Sequence, residues 1–404
     1  MPEHDRIESA AAASALAPFT PDPRLVEVSR DVLARLQAPS GAYPASPTFS
    51  AYRGHCWFRD GSFIAEAARR HGDADGSARF HRWCTGVVLD RATHIEDLVR
   101  RGLDGSDVAV EEMLPTRYTL DGADGTDAWW DFQLDGYGTW LWALCEHADA
   151  CGSPDPAAPR AAALVADYLS VFWDRPCYDW WEEHVDRRHV STLAAVRAGL
   201  DRAVSHPVMG SAMSEATRAR AAAVVGAVDA VVREGGTGRA PATRTQVAHL
   251  LKWLGADAVD ASLLSCVVPF ELPMPDDVAE STVEAVETQL AVDGGVHRYL
   301  ADTYYGGGQW LLLSGFLAWA HARRGRVDDA ARYLRWIEER TDPDGLMPEQ
   351  VNAHLLAPER EREWIERWGE SASPLLWSHA MYLIAVDELE RRSRTTPHPR
   401  EETP

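Results

Sequence analysis

The sequence predicts an all-α protein that forms one (α/α)6 barrel, a toroid of six inner and six outer helices. Helical periodicity recurs along almost all of the 404 residues, and long alternating strand patterns are absent. The predicted helices number roughly twelve, and no self-similarity at a short fixed period indicates a repeat solenoid. A barrel of paired helices therefore fits the length and the helix count, and the 46% of apolar residues is enough for its core.

Apolar residues at three- and four-residue spacing define the helices, and several helices follow good N-caps. The stretches VEVSRDVLARL and AAALVADYLSVFW show this pattern clearly. In chain order, the predicted helices cover residues 24–37, 60–71, 76–91, 131–149, 157–172, 190–204, 213–233, 244–254, 278–290, 308–324, 326–340 and 371–391. Proline and glycine clusters such as GSPDPAAP and TDPDGLMPEQ separate them. In a toroid of this kind, the long loops before the inner helices gather at one end, where function tends to be located.

No internal linker divides the chain into separate domains. We expect an N-terminal tail over residues 1–20, the barrel over 21–392, and a polar, proline-rich, disordered tail over 393–404. The N-terminus has an alanine run without a basic segment or a strong apolar core, so it does not resemble a signal peptide. No stretch of about 18 apolar residues predicts a membrane span.

The net charge of −22 excludes nucleic acids and anionic membranes as expected partners and favours a neutral substrate. Acidity of this size is also typical of a surface that keeps a protein soluble. The six cysteines form no CxxC pair and no zinc-finger spacing with histidine, which predicts reduced, mostly buried thiols. They are Cys56, Cys84, Cys145, Cys151, Cys177 and Cys266. Together with the absence of a leader, they predict a cytoplasmic protein.

The segment YDWWEEHVD at 178–186 predicts carbohydrate chemistry. Trp180 and Trp181 supply flat apolar faces, and Glu182 and Glu183 supply two carboxyls. A carboxyl beside indole rings has its pKa raised enough to hold a proton near neutrality. Aromatic faces with carboxylates also suit a sugar ring. The segment therefore suggests a glycosidase, which needs a second carboxyl elsewhere, although a WEE triplet alone is more typical of a helix surface.

Five segments share one composition of aromatic, acidic, basic and glycine residues in a non-helical context. They are YRGHCWFRDG (52–61), DAWWDFQLDGYG (127–138), YDWWEEHVD (178–186), HRYLADTYYGGGQW (297–310) and GLMPEQVN (345–352). Each interval between them spans about a pair of helices, so successive inner helices would each contribute one loop to a common pocket.

In their order and motifs, these segments resemble the glucoamylase-type glycoside hydrolases of family 15, from about residue 50 to 390. The layout is closest to the isomaltose glucohydrolases of that family. The resemblance rests on WFRD at 57–60, Trp129 before Gln133 and the Asp135–Gly136 pair, WEE at 181–183, Arg298 with Asp302 and Trp310, PEQ at 348–350, and SASPLLWSHAMY at 371–382. The family implies an (α/α)6 barrel and an inverting, exo-acting release of β-glucose from α-glucosides.

The resemblance implies that Glu182 is the general acid and Glu349 the general base that activates water on the opposite face of the sugar. The indoles and the charge of Glu183 favour a neutral carboxyl at Glu182. Inversion requires the two carboxyls to stand roughly 6.5–9.5 Å apart, which leaves room for the water. Taken alone, Glu349 could instead be an acid that stabilises a helix start. The mechanism requires neither a metal ion nor a cofactor.

The other implied site residues bind the sugar. Arg59 and Asp60 would hold hydroxyls at the far end of the non-reducing sugar, unless they form only a salt bridge. Arg298 and Glu183 would bind the ring being cleaved and the next one. The remaining predicted substrate-binding residues are the stacking walls Trp57, Trp129 and Trp310, the pocket indoles Trp180 and Trp181, and the polar residues Gln133 and Asp302. Asp302 has two further interpretations, as a helix cap or as a support for Arg298.

The expected substrate is isomaltose or a short isomalto-oligosaccharide. The chain leaves no room for the accessory β-sandwich or starch-binding domains of other members, and extra indoles at Trp130 and Trp180 would narrow the pocket. Maltose-type α-1,4 substrates and trehalose stay open, as does the oligomeric state. Two other classes also stay open: a barrel that only binds sugar, and a phosphorylase, which needs no second carboxylate.

Overall fold

The computed structural model describes residues 19–129, 132–152, 155–238 and 247–395. These residues form fourteen α-helices and eight short strands. The helices are α1 Pro23–Leu36, α2 Phe58–Arg70, α3 Ala74–Asp90, α4 Ala92–Leu103, α5 Asp135–Cys151, α6 Ala158–Phe172, α7 Val190–Ser205, α8 Glu215–Gly235, α9 Leu264–Val267, α10 Asp276–Leu290, α11 Leu311–Arg323, α12 Val327–Glu338, α13 Pro358–Trp368 and α14 Leu376–Thr395.

Six helices form a closed inner ring. In order, α2, α5, α7, α9, α11 and α14 each pack against the next, and α14 returns to α2. Helices α1, α3, α6, α8, α10 and α12 pack outside this ring, which confirms the predicted (α/α)6 barrel. Two further helices lie in connections: α4 packs on α6, and α13 packs on a short 3-10 turn at Tyr304–Gly306.

The inner helices are buried on all sides because they contact both their ring neighbours and an outer helix. In α11, twelve of the thirteen residues are buried. The backbones of α5 and α7 approach so closely that a Cβ at Gly138 would lie 2.4 Å from the carbonyl oxygen of Ala195, and one at Gly199 would lie 2.3 Å from that of Gly138. Only glycine permits this contact, which fixes the spacing of the two helices.

The strands are two or three residues long, and every pair is antiparallel. They are β1 His55–Trp57, β2 Arg117–Thr119, β3 Thr237–Gly238, β4 His249–Leu250, β5 Ala291–Val292, β6 Gly295–Val296, β7 Gln309–Trp310 and β8 Gln350–Val351. β1 pairs with β2, β3 with β4, and β5 to β8 form one sheet in that order. One of these pairings joins two predicted site segments, because Trp310 lies opposite Gln350. Another places Arg117, which lies outside the predicted segments, opposite Trp57.

The helix prediction at 244–254 is wrong. Within its described part, 247–254, the backbone forms β4, whose His249 pairs with Gly238 of β3. Leu250, Leu251 and Lys252 are buried in the interior without a helical backbone. The inner helix at this place in the ring is the four-residue α9 further along the chain. Tertiary burial therefore overrides the local helical pattern here.

Three helices, α4, α9 and α13, are absent from the sequence prediction. The first part of the predicted tail (1–18), Trp130 and residues 396–404 lie outside the described residues, and α14 extends to Thr395, so the tail boundaries stay a prediction. All six cysteines are unpaired, and all but Cys151 are buried, as predicted. No helix in the described ranges is long and apolar enough to cross a membrane.

Candidate active site

A cavity with a volume of about 220 Å³ opens where the inner helices begin. Eleven of the thirteen predicted site residues line it, all except Gln133 and Asp302. The loops before α2, α5, α7, α11 and α14 each contribute lining residues. The predicted convergence of the inner-helix loops on one pocket is therefore confirmed.

Glu182 lies on a tight loop between α6 and α7. The carboxylate of Asp179 accepts the backbone N–H groups of Trp181 and Glu183, at 3.0 and 2.9 Å. Between them, Glu182 takes a φ of 59°, a strained conformation for a residue with a side chain. The Trp57 indole N–H donates to Oε1 of Glu182 at 2.7 Å. The loop thus aims this carboxyl into the cavity from the side of Trp57.

The enclosed site raises the pKa of Glu182 to about 7, because burial disfavours the carboxylate. The Arg59 guanidinium and the Trp57 hydrogen bond oppose the shift, and the nearby Asp60 carboxyl adds to it. A carboxyl with this pKa is available as a proton donor near neutral pH, which is the property that a general acid requires.

Glu349 is 2% exposed and follows the segment that joins α12 to β8. The Tyr52 hydroxyl donates to Oε1 at 2.9 Å, and the Ser371 hydroxyl donates to Oε2 at 3.4 Å. Burial raises the pKa of Glu349 to about 7, against the hydrogen bond from Tyr52 and the charge of Arg298. Hydroxyl donors thus face both oxygens of Glu349, whereas an indole N–H faces Oε1 of Glu182.

Arg59 and Asp60 lie on the first turn of α2, at 5% and 8% exposure. The Arg59 Nε lies 3.2 Å from the Asp60 carboxylate, and its Nη1 donates to Gln133 at 2.9 Å and to Asp135 at 3.2 Å. Burial raises the pKa of Asp60 to about 6, although the Arg59 charge opposes the rise. The salt bridge that was the alternative to sugar binding by Arg59 and Asp60 is therefore present, and both side chains also line the cavity.

Two predicted substrate-binding residues lie behind the cavity wall. The Gln133 amide contacts Arg59 and donates to the backbone carbonyl of Asp179 at 2.9 Å. The Asp302 carboxylate binds the guanidinium of Arg298 at both oxygens, with the Nε contact at 2.7 Å. Their polar groups are committed to these partners, so we assign both residues to holding the arginines in place. For Asp302, this agrees with the interpretation as a support for Arg298.

Arg298 and Glu183 form the wall opposite Arg59. Arg298 Nη2 donates to Glu183 Oε1 at 3.3 Å, and the Tyr299 hydroxyl donates to the other oxygen. The Arg298 guanidinium lies 5.2 Å from the ring centre of Trp181 and 5.4 Å from that of Trp310. A fixed cation and a partly exposed carboxylate are therefore presented side by side at the cavity.

Aromatic rings form the rest of the lining. Trp57 and Trp129 meet edge to face at 6.1 Å, Trp181 lies 5.5 Å from Trp310, and Trp180 lies 5.3 Å from Trp377. The buried lining residues, Trp180 and Trp377 among them, define the inner end, whereas Trp129 and Glu183 are partly exposed at the mouth. Apolar ring faces and a few polar groups therefore line the cavity.

The sequence analysis missed several lining or supporting residues. Tyr52 and Tyr304 stand inside segments that the analysis selected, but nothing in the sequence distinguishes their hydroxyls from other tyrosines. Arg117 is 1% exposed and lies 4.3 Å from the ring centre of Trp129, a position set by the β1–β2 pairing. Trp364 and Trp368 of α13 also line the cavity, and only the prediction of α13 itself would have found them.

Asp179, Glu183 and His184 have ligand atoms within 4.8 Å of one another, a grouping that could hold a metal ion. Both carboxylates have cationic partners instead: Lys252 Nζ lies 3.6 Å from Asp179, and Arg298 pairs with Glu183. These cations disfavour a metal ion at this place. That the mechanism requires no metal ion therefore stays a prediction.

The chain is similar to known glycosidases along almost its whole length. The family profile described as glycosyl hydrolases family 15 matches residues 25–387. Isomaltose glucohydrolase from Kribbella flavida is 52% identical over 371 residues, which cover 91% of this chain and 93% of that protein.

Solved structures agree with this similarity. A glycosidase variant in complex with glucose is 49% identical with a TM-score of 0.85, over 91% of this chain and 97% of that chain. A bacterial glucoamylase complexed with acarbose is 20% identical with a TM-score of 0.68, over 91% of this chain and 55% of that chain. At that lower identity, the likeness bears on the fold alone.

Proposed function

Because the chain belongs to the glycosyl hydrolases of family 15, we propose that it is an inverting, exo-acting α-glucosidase that releases β-glucose from isomaltose and short isomalto-oligosaccharides. That it is a glycoside hydrolase follows from the family and from the 52% identity to an isomaltose glucohydrolase. The observation that carries the mechanism is that Glu182 and Glu349, whose pKa values are both raised to about 7, line one pocket.

In this mechanism, Glu182 protonates the glycosidic oxygen while Glu349 takes a proton from the attacking water. Tyr52 and Ser371 support the assignment of the base, because their hydroxyls stabilise a carboxylate at Glu349. The charge that develops on the sugar during bond cleavage would be stabilised by Glu183 and the aromatic faces. Water then attacks from the face opposite the leaving group, so the product is the β-anomer.

Exo action follows from the shape of the pocket. Arg59 and Asp60 are almost fully buried at its inner end, so a sugar bound there has no room for a further residue on that side. Their charges would bind the hydroxyls of a terminal, non-reducing glucose. The partly exposed Trp129 and Glu183 would then contact the leaving sugar near the mouth.

The α-1,6 preference is supported by the similarity to the isomaltose glucohydrolase from Kribbella flavida, which is 52% identical to this chain over 371 residues. We also propose a cytoplasmic location, which the six unpaired cysteines support because thiols persist in a reducing compartment. The expected partner is a neutral sugar, in keeping with a net charge of −22.

The test is glucose release from isomaltose, isomaltotriose, maltose and trehalose, with the product anomer followed by NMR. We expect β-glucose, mainly from isomaltose, without any requirement for phosphate. Glu182→Gln and Glu349→Gln should each lower kcat by several orders of magnitude. A faster reaction with maltose or trehalose would overturn the linkage preference, and α-glucose as the first product would overturn the inverting mechanism.

A further inference from the structure

The chain contains 39 arginines and a single lysine, Lys252. This lysine is 3% exposed and lies beneath the loop that carries Glu182. The structure therefore places the one compact ammonium group of the sequence in the interior, next to the cavity. Nothing in the mechanism above uses it.

The Lys252 ammonium lies between two buried carboxylates. Its Nζ is 3.0 Å from Oδ2 of Asp260 and 3.6 Å from Oδ2 of Asp179, and these side chains are 1% and 2% exposed. The ring centre of Tyr299 lies only 3.3 Å from Nζ. An aromatic face attracts a cation at this distance, so three groups hold the ammonium from different sides.

Each of these carboxylates fixes a different part of the acid loop. Asp179 accepts the backbone N–H groups of Trp181 and Glu183, on either side of Glu182. Asp260 accepts the indole N–H of Trp181, at 3.1 and 3.0 Å to its two oxygens. The third neighbour of the lysine, Tyr299, donates its hydroxyl to Glu183. Each of these three contacts of the ammonium thus leads to a residue adjacent to Glu182.

Without a cation between them, Asp179 and Asp260 would be two buried acids in mutual repulsion. Burial alone disfavours both charges. Lys252 lies closer to Asp260, whose pKa is held below its usual value despite burial, while burial raises the pKa of Asp179 to about 7 against the lysine's charge. Loss of the lysine would favour protonation of at least one of the two, and a protonated carboxyl accepts the loop's N–H groups less strongly.

The ammonium is better suited to this place than a guanidinium would be. Lysine carries a compact charge that can face two carboxylates and a ring, whereas arginine presents a planar fork that needs more space. The other charged or titratable groups that face the lysine are Glu183, Arg298, His184 and His189. Of these, Glu183 and Arg298 belong to the cavity wall.

We propose that Lys252 is a positioning residue that, through Asp179, Asp260 and Tyr299, holds the acid loop so that Glu182 is aligned with the leaving-group oxygen. This inference rests on the proposed role of Glu182 as general acid. Lys252 itself does not contact the substrate in this proposal, because it does not line the cavity.

The test compares two substrates that differ in their need for a proton. The sugar leaving group of isomaltose requires protonation, whereas the fluoride of α-glucosyl fluoride leaves with little help from an acid. We would measure kcat for both substrates at saturation with Lys252→Met and Lys252→Arg. At saturation, weaker binding of the leaving sugar raises KM and does not enter kcat.

For Lys252→Met we expect kcat for isomaltose to fall about 100-fold, the effect of a misplacement near 1 Å, and kcat for the fluoride to fall less than about 5-fold. Lys252→Arg retains the charge and should fold. Its kcat for isomaltose should fall by a smaller factor than that of Lys252→Met, and again by more than its kcat for the fluoride. Equal losses for both substrates in both variants, or wild-type rates in both, would overturn the proposal.

A matched control removes another buried cation. Arg70 is the last residue of α2, at the end opposite to Arg59. It pairs with Glu66 at 2.6 Å and with Asp387 at 3.4 Å. Arg70→Met should lower stability and change kcat for both substrates by the same small factor. Glu182→Gln serves as the second reference. If Glu182→Gln lowers kcat for isomaltose more than for the fluoride and Lys252→Met does not, the positioning role fails while the acid assignment stands. If Glu182→Gln lowers kcat for both substrates equally, the acid assignment itself fails.

The single lysine allows a direct measurement on the wild-type enzyme. Selective ¹³C-lysine labelling gives one lysine side-chain signal, and the protons next to Nζ should be shifted upfield by the ring current of Tyr299. A signal at the position of a solvent-exposed lysine would contradict the contact on which the proposal depends.

Discussion

The hydroxyl of Tyr52 sets the charge state of Glu349. It donates to the carboxylate at 2.9 Å and lowers a pKa that burial raises to about 7. Tyr52→Phe removes this donor, so the pKa of Glu349 should rise by about one unit. Because the reaction needs Glu349 ionised, the acidic limb of the pH profile of kcat/KM should move to higher pH by that amount.

The basic limb of this pH profile reports the pKa of Glu182 and should not move in Tyr52→Phe. The bell-shaped profile should therefore become narrower, with a lower maximum. Ser371→Ala is the matched control, since its hydroxyl lies 3.4 Å from the other oxygen and should cause a smaller shift in the same direction. A shift of the basic limb instead would mean that the acid and base roles are exchanged.

The buried carboxyl of Glu349 should also make stability depend on pH. Its folded-state pKa of about 7 lies above the ordinary value of 4.5. Its stabilising contribution is therefore complete below about pH 4.5 and is lost as pH rises through about 7. Between about pH 5 and pH 8, the wild type should lose on the order of 2–3 kcal/mol relative to Glu349→Gln, which has no charge to bury.

Urea unfolding of wild type and Glu349→Gln at both pH values measures this difference, and all other titrating groups cancel in the comparison. The same free-energy gap at both pH values would indicate that Glu349 is solvated in the folded protein.

At the residue scale, residues that line the site could be predicted from the sequence where a motif combines unusual side chains. WEE and PEQ identified two carboxyls that line one pocket although 167 positions separate Glu182 from Glu349. It was insufficient where the role depends on tertiary contacts. Arg117 reaches the tryptophans only through the β1–β2 pairing, and Lys252 reaches Asp179 only because two segments that are distant in sequence meet. No local pattern encodes such meetings.

At the scale of elements, α13 bears on the size of the substrate. Its charged residues face outward and none of its residues is buried, yet Trp364 and Trp368 line the cavity. It is fixed by backbone hydrogen bonds from Leu356 and Ala357 to Gly307 and Gly306. The helix therefore covers one side of the mouth with two indole rings.

We predict that Trp368→Ala lowers kcat/KM for isomaltose about tenfold, on the order of 1.4 kcal/mol, because the leaving sugar loses an apolar face. Binding of glucose, which fills the inner end, should not change, as measured by product inhibition. Arg362→Ala on the outward face of the same helix is the control, since that side chain is 88% exposed. Equal effects of Trp368→Ala on isomaltose and glucose would argue against a role at the mouth.

The prediction of elements failed where the periodic signal was weak or misleading. The spacing of Ile95, Leu98 and Val99 marks α4 in the sequence. The predicted helix ended correctly near Arg91, but the second helix that begins directly after this break was not predicted. α13 is only 11 residues long and is rich in charged residues, with Trp364, Ile365 and Trp368 on one face, and it was not recognised as a helix. The apolar run around Lys252 indicated a helix because its side chains are buried, although that burial comes from the sheet and the loop around it.

At the scale of the whole molecule, the closed ring explains why one end of the barrel carries the site. Inner helices that all begin at the same end bring their preceding loops together, as the loops with Trp57, Glu182 and Trp310 show. The ring has no free side, so a sugar can reach these loops only from an end of the barrel. Fold class and site location could therefore be predicted together from the spacing of the five segments.

The net charge of −22 acts on the whole surface rather than on the reaction. For a neutral sugar there is no electrostatic steering, so kcat/KM should change less than about twofold between about 0.01 and 1 M salt, while the Debye length falls from about 30 to 3 Å. Over the same range, screening of self-repulsion should raise Tm. Parallel kinetics and thermal melts in NaCl measure both. A steep fall of kcat/KM with salt at unchanged Tm would indicate that the preferred substrate is cationic, contrary to the proposed isomaltose.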